Sequence, residues 1–469
     1  MGDDKKKKIS TVPHPIFIIL IIVAIASIAT HFIPVGVYDR VTNSLGKMAV
    51  VPGSFHLVKS TPVTLLQFLT AFPRAFIKAG DIIAMTFFAG GSIAVLRKTG
   101  LITLGIEYLA RKCQNNKTAI IPVMMLGVCC IDTLIGMPEL YIVYLTITYP
   151  LMLRLGFDSL VAAASIMCGG IAGFSCGIAN PYTVVIGQKM SDLPIYSGSG
   201  YRFICMMIMY AIAVIYVMRY ARKVLKNPQI SPTYEADQKK RENIEVPSAD
   251  KLIFTKRFAL ETLYCIVVLA ITFNGLINLG WDLPEMCGLF FLMGFGGGLI
   301  GGLHVNEIFD DFINGCKEMV YGVIMIAAGT AVSVVMADGN ITDAIVNALS
   351  NGLQLVPRDL SVIGIFLAVT ILNFFNGSGS GKAVVLFPML VPLADVLGIH
   401  RQVMVLAYQF GDGFSNILYP NGGSMNVCTG YVGVAYPIWL KFYLPLFAIW
   451  YVAGFIMLIA AQWIGLGPF

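Results

Sequence analysis

Charge is scarce in this 469-residue chain: Asp, Glu, Lys and Arg make up 12% of it, against 57% hydrophobic residues and a mean hydropathy of +0.78. So little polar surface cannot cover a soluble globular protein of this length, so the chain belongs in a bilayer. Other absences narrow the chemistry. The ten cysteines lie mostly inside apolar runs, with neither a disulfide framework nor a C-x-x-C spacing. His304 and Glu307 form an isolated pair, too few ligands for a metal, and no Ser/His/Asp or Cys/His constellation is visible. Neither an enzyme nor a cofactor is therefore expected. Gly377 to Lys382 imitates a phosphate-binding loop, but only three residues separate Gly377 from Gly381, and Ala383 stands where Ser or Thr is required. The net charge of +6 does not call for nucleic acid. The positive residues cluster at Lys5 to Lys8, at Arg97, Lys98, Arg111, Lys112 and Lys117, and from Arg219 to Lys256, which the positive-inside rule reads as cytoplasmic.

What the chain has is apolar length. Nine long runs cover 15–33, 79–96, 159–178, 203–218, 258–278, 285–302, 318–336, 402–419 and 437–464, and most approach the roughly 20 residues a helix needs to cross. The first lacks a small-residue cleavage site and reads as a retained helix. The loops at 279–284 and 338–357 hold no Lys or Arg and should face outward. Nine crossings then place the N-terminus inside and the C-terminus outside an inner, cytoplasmic membrane.

The interruptions repeat. Gly136-Met137-Pro138-Glu139 and Asn180-Pro181 break apolar stretches in the first half, with Pro138 and Pro181 43 positions apart. Asn376 to Lys382 and Tyr419-Pro420-Asn421-Gly422-Gly423 break the second half, with Ser378 and Pro420 42 apart. Ala89-Gly90 and Gly100 to Thr103 likewise match Ala328-Gly329 and Gly339 to Thr342 at a shift of 239. Unwound backbone survives at membrane depth only where it lines a cavity, so paired interruptions point to the binding site of a secondary transporter. The expected fold is an all-α polytopic membrane protein with two inverted repeats, each holding a re-entrant hairpin and a broken transmembrane helix. Its divisions are a basic tail (1–14), repeat one (15–219), a polar cytoplasmic linker of disorder-like composition (220–256), a connecting helix and loop (257–284) and repeat two (285–469). The second-half hairpin arms, 360–375 and 383–395, look too short to cross, at about 20 to 24 Å. The first-half arms, 118–135 and 139–153, are longer. Segments 101–112 and 341–353 suit the interface, and 34–60 reads as a structured external loop.

A helix break exposes carbonyls on one side and N–H groups on the other, with about half a charge of opposite sign at each. Asn180 and Asn421 place amides there, with Ser175, Thr183, Ser415, Asn416 and Ser424 nearby. Lys382 falls in the first turn of a returning half-helix, where the dipole disfavours it, and a Lys in mid-membrane costs about 2.5–3.5 kcal/mol. It should have a partner: Asp412, Glu139 or a solute carboxylate, unless it snorkels to an interface. Asp412, between Gly411 and Gly413 in an apolar run, suits a proton relay or an amine site, with an interhelical hydrogen bond as the plain alternative. The candidate solute-binding set is Glu139, Asn180, Thr183, Asn376, Ser378, Ser380, Lys382, Asp412, Asn416 and Asn421; the coupling candidates are Asp412 and Asp132. Serines 378 and 380 with Lys382 would take a carboxylate, and Asp412 with Glu139 an amine, guanidinium or proton. The expected activity is alternating-access carriage of a small carboxylate-bearing solute. An amino acid leads, by antiport or proton coupling; a C4-dicarboxylate or other organic anion is the alternative, ahead of a channel or an intramembrane enzyme. Coupling to H+ or Na+ stays open, and the lipid bilayer, the solute and a second copy in a homodimer are the partners to consider.

Ile33 to Arg40, Val51 to Phe55, Asn376 to Lys382, and Gln409 to Asn416 together resemble the anaerobic C4-dicarboxylate carrier family, most of all its YfcC-like branch, named for basic amino-acid antiport. The likeness spans essentially the whole chain. It implies the ion-transporter superfamily fold of paired repeats. Better-understood members of that superfamily carry Ser-Asn-Thr motifs at their hairpin tips for sodium and carboxylate; the tips here read Gly-Met-Pro-Glu and Gly-Ser-Gly-Ser-Gly-Lys.

Overall fold

The structure is a computed structural model that describes residues 15–42, 48–51, 53–102, 104, 114–178, 180, 182–242, 255–275, 279, 281–353 and 358–467. The basic tail, Pro181 and most of 101–112 lie outside these residues, as does the later part of the polar linker.

The first half contains α1 (Pro15–Ala29), α2 (Leu65–Lys78), α3 (Gly80–Thr99), α4 (Ile120–Ile135), α5 (Tyr141–Leu155), α6 (Ser159–Cys176), α7 (Val184–Met190) and α8 (Ser199–Lys226). A short helix, α9 (Tyr234–Glu242), leads to α10 (Lys256–Asn274), α11 (Leu283–Ile300) and α12 (Val305–Asp338). The second half adds α13 (Thr342–Leu353), α14 (Arg358–Phe375), α15 (Gly379–Leu397), α16 (Arg401–Ser415), α17 (Gly423–Val432) and α18 (Tyr436–Trp463). Seven helices among the described residues are long and apolar enough to span a membrane. The order of hairpin, broken segment and long helix thus occurs twice: α4/α5, α6/α7, α8, then α14/α15, α16/α17, α18.

Local chemistry sets many of the boundaries. Thr64 opens α2 with a capping box, its hydroxyl accepting from Gln67 N at 3.2 Å while Gln67 Oε1 accepts from Thr64 N at 2.8 Å. Asp158 caps α6 by accepting from Val161 N at 2.8 Å. The His304–Glu307 pair is a helix start: Glu307 Oε2 accepts from His304 N at 2.8 Å. Because α12 begins with this polar turn and runs for 34 residues, its apolar run at 318–336 showed barely half of it.

Two packed groups result. Every residue of α6 is buried, and it is clasped by α4, α5, α8 and α16. Its glycines permit this, since a Cβ on Gly169 would lie 2.9 Å from Met125 Cα of α4 and one on Gly173 would overlap Cys129 O. The other group sets α12 against α1, α2 and α3, with α11 on α3, and α12 also meets α17. Loop 34–60 carries two antiparallel ribbons, Gly36–Val37 with His56–Leu57 and Arg40–Thr42 with Met48–Val50.

Two expectations change. The second hairpin's arms are 18 and 19 residues long, or about 27 to 29 Å at 1.5 Å per residue, because the first turn of α15 already lies in the Gly/Ser tip and α14 starts on the polar Arg358. Their apolar parts, Leu360–Phe375 and Val385–Asp395, still fall short of a crossing, whereas Asn116–Ile135 at the first hairpin is long and apolar enough to span. The polar linker is also folded over 220–242. Asp237, 1% exposed, accepts from Ser159 N at 2.8 Å and Thr233 Oγ1 at 2.7 Å. Arg241 donates to Phe157 O at 2.7 Å and Leu153 O at 3.2 Å, and Lys240 donates to Val432 O. Its basic residues therefore serve the carbonyl ends of α5 and α17, a use of charge that composition does not reveal.

Candidate functional site

The second hairpin turns at Asn376–Ser378. Asn376 Oδ1 accepts from Ser378 N at 3.1 Å, and Ser378 Oγ, the N-cap of α15, accepts from Gly381 N at 3.2 Å. Lys382 follows in the first turn, 2% exposed, with Nζ 2.6 Å from Asp412 Oδ1 of α16. It also donates to Asn373 Oδ1 and to Asn376 O at 3.2 Å. Of the three expected partners, Asp412 holds the ammonium, and the pair neutralises two charges that would each be costly alone.

The first break lies between Cys176 and Val184. Asn180 Oδ1 accepts from Tyr182 N at 2.9 Å and Thr183 N at 3.3 Å. Gly136 (φ +69°), in the first hairpin tip, sits so close that a Cβ there would overlap the Asn180 amide. From the other side comes Gly379: its Cβ would stand 2.9 Å from Thr183 Cγ2 and 3.2 Å from Asp412 Oδ2. The structure therefore brings the first tip, the first break, the second tip and α16 into one neighbourhood. Within it, Ser175 Oγ, Asn180 Nδ2, Thr183 Oγ1 and Gln409 Oε1 are buried with no hydrogen-bond partner, and Asp412 has only its ion pair. Buried polar atoms are satisfied in the large majority of cases, so four unpartnered side chains beside a buried ion pair single this neighbourhood out as the candidate site.

The remaining candidates divide. At the second break, Asn421 Nδ2 donates to Phe374 O, Asn426 Nδ2 to Pro420 O at 2.7 Å, and Asn416 Oδ1 accepts from Asn373 at 3.0 Å, so these amides are engaged in the fold. Asp132 is spent on its own hairpin, accepting from Met137 N at 3.0 Å and from the Tyr141 hydroxyl. Glu139 is half-buried at the first tip, within electrostatic reach of Asp412. Ser378 is exposed and Ser380 half-buried, both at the second tip.

A cavity of about 280 Å³ leads toward this cluster from the side of the β-ribbons. Its walls include Arg40, Lys78, Asp343 and Asn376, and Lys382 lines it whereas Asp412 does not. Arg40 grips both Asp343 oxygens at 2.8 Å, and Tyr38 N donates to Asp343 Oδ2 at 3.1 Å. Burial, and then the Asp343 charge, push the Tyr38 phenol up to about 12. With Arg40 paired to Asp343 and Lys382 to Asp412, Lys78 is the wall cation that has no ion pair among the described residues.

Sequence reading missed Asn373, Gln409, Tyr408 and Arg202. Tyr408 donates to Gly379 O at 2.7 Å and so anchors the tip. Asn373 and Gln409 were visible as polar residues inside apolar runs, but nothing local said which way they point. Arg202 fell one residue outside the run at 203–218.

The chain matches the family model for the C4-dicarboxylate anaerobic carrier over residues 12–463. It is 30% identical to a protein of Escherichia coli (strain K12) named "Putative basic amino acid antiporter YfcC", across 97% of each chain. An uncharacterised protein of Haemophilus influenzae is 26% identical across 88% of this chain and 81% of its own. Among solved structures, MtrF of Neisseria gonorrhoeae, from a class of antimetabolite efflux pumps, aligns at a TM-score of 0.44 and 17% identity, covering 97% of this chain and 96% of that one.

Proposed function

The chain belongs to the C4-dicarboxylate anaerobic carrier family, which makes it a multi-pass membrane transporter of a small molecule and not an enzyme, and from that premise we propose a proton-coupled secondary carrier working by alternating access. The observation that carries this reading is the Lys382–Asp412 pair, buried at the end of a cavity and flanked by unpartnered polar atoms. While Asp412 is ionised, it occupies the ammonium. Protonation of Asp412 releases Lys382 to accept a solute carboxylate, with Asn180 Nδ2 and Thr183 Oγ1 as further donors, and the pair re-forms when the solute leaves. Proton, on Asp412, and solute, on Lys382, are thus bound and released together. The two halves act as inverted repeats, the hairpin and broken-segment bundle moving against α3, α11 and α12. The face holding α9 is cytoplasmic, because the basic residues gather there, and the membrane is the inner one.

An amino acid is the solute the site favours, since Lys382 suits its carboxylate and Glu139, which has no ion pair among the described residues, its amine or guanidinium. Lys78 in the cavity wall, joined by Lys382 once Asp412 releases it, favours a second reading, a dicarboxylate. Proteoliposome exchange with arginine, ornithine, neutral amino acids, succinate and fumarate, under Na+ and pH gradients, separates the two. Saturable counterflow driven by the pH gradient is expected. Single-channel current without saturable exchange would mean a channel, and turnover of a membrane-embedded substrate an enzyme.

A further inference from the structure

The end of α6 at the first break presents carbonyls that have no helical partner and carry about half a negative charge. Their donors are specific. Gly173 O still accepts within the helix, from the C-cap Gly177 N at 3.0 Å, whereas Phe174 O accepts from Gln409 Nε2 and Cys176 O from Arg202 Nη1 at 3.4 Å. Arg202 is 1% exposed, and its Nε and Nη2 find no hydrogen-bond partner. No acid is paired with it: the ion pairs of the described residues do not include Arg202. A buried guanidinium without a carboxylate is expensive unless a negative potential holds it, and the end of α6 supplies one.

The second break handles the same problem without charge. Trp439 is the fourth residue of α18, as Arg202 is the fourth of α8. Its indole N–H donates to Ile417 O at 2.7 Å, while Tyr443 donates to Phe414 O at 2.6 Å and Tyr436 to Leu418 O at 3.0 Å. Corresponding positions thus bring a neutral donor to one break and a fixed cation to the other. Neutral donors suffice for helix-end carbonyls, so the charge at the first break answers something further.

We propose that Arg202 is a built-in counter-cation for the carbonyl end of α6, a positioning residue that does the work a bound metal cation would otherwise do at that break. The first break then keeps its shape without recruiting an ion, and Asn180 and Thr183 stay free for the solute. Cation coupling, where it occurs, acts elsewhere. The inference goes beyond the carrier reading and needs no solute for its test, so the two can fail separately.

The test is thermal unfolding of the purified full chain in detergent, at constant ionic strength in choline, potassium or sodium chloride, with or without millimolar guanidinium. Arg202→Lys should keep the wild-type Tm. Arg202→Met should lower it by several degrees in every salt. Arg202→Ala should lower it too, and should recover saturably with guanidinium or a small inorganic cation but not with choline, a response that wild type and Arg202→Lys lack. Should Arg202→Ala fail to fold, the Lys and Met variants decide. Equal losses in those two would reduce the role to packing and overturn the proposal, as would a wild-type Tm in Arg202→Met or an Arg202→Ala deficit indifferent to the cation.

Discussion

At the first break Ser175 Oγ, Asn180 Nδ2 and Thr183 Oγ1 are buried without partners, whereas at the second Asn416 and Asn421 bond to α14 and Asn426 to Pro420 of the break itself. An unsatisfied buried polar group costs about 1–3 kcal/mol, so the first break is held in a condition that a bound solute would relieve, and the second is finished as structure. Charge is divided the other way. The second half owns the ion pair of Lys382 and Asp412, while of the two acids in the first hairpin Asp132 is spent on Met137 and Tyr141 and Glu139 forms no ion pair among the described residues. Two halves with one element order therefore differ, one offering open hydrogen-bonding capacity and the other a buried ion pair.

Breaking the charged half should have the largest effect. Lys382→Ala leaves Asp412 buried without its cation and should abolish exchange, by 100-fold or more, with a stability loss of about 3–5 kcal/mol. Combining Lys382→Met with Asp412→Leu should restore much of the Tm but none of the exchange; ordinary exchange in either form would move the site elsewhere. Next comes the open break. Thr183→Val removes an unpartnered hydroxyl, so stability should hold or rise slightly while KM increases about tenfold, the value of one hydrogen bond to a charged group. An unchanged KM would deny Thr183 a part in binding.

The finished break should respond in the opposite sense. Asn421→Ala should cost about 1–3 kcal/mol in unfolding yet leave KM within about twofold; a KM effect rivalling that of Thr183→Val would erase the contrast between the halves. The smallest change is expected from Asp132→Asn, which keeps an acceptor for Met137 N. Its exchange should follow the wild-type pH profile, with a stability loss of about 1 kcal/mol. A displaced profile would return Asp132 to the coupling machinery.

Hydropathy and Gly/Pro chemistry are local, and what depends on them was legible in the chain alone. The 437–464 run reappears as α18, Tyr436–Trp463, and the 159–178 run as α6. Gly136, Asn376 to Ser378 and Tyr419 to Gly422 do interrupt helices, and Lys382 stood out because an ammonium in an apolar run demands an explanation. Local pattern misled where polar residues carry tertiary duties. The acidic start of α12 masked half a helix, and the charges of 234–242 suggested a loose linker although they serve the carbonyl ends of α5 and α17.

By itself, then, the sequence determined the membrane setting, the twofold order of elements, the places where helices must stop and the presence of one anomalous cation. Tertiary structure decided which acid answers Lys382, which break remains unsatisfied and where the guanidinium of Arg202 lies. The reason is physical: a backbone break follows from the residues at the break, but whether a polar atom there is satisfied depends on donors and acceptors delivered from segments remote in the chain, and only packing brings those within 3 Å.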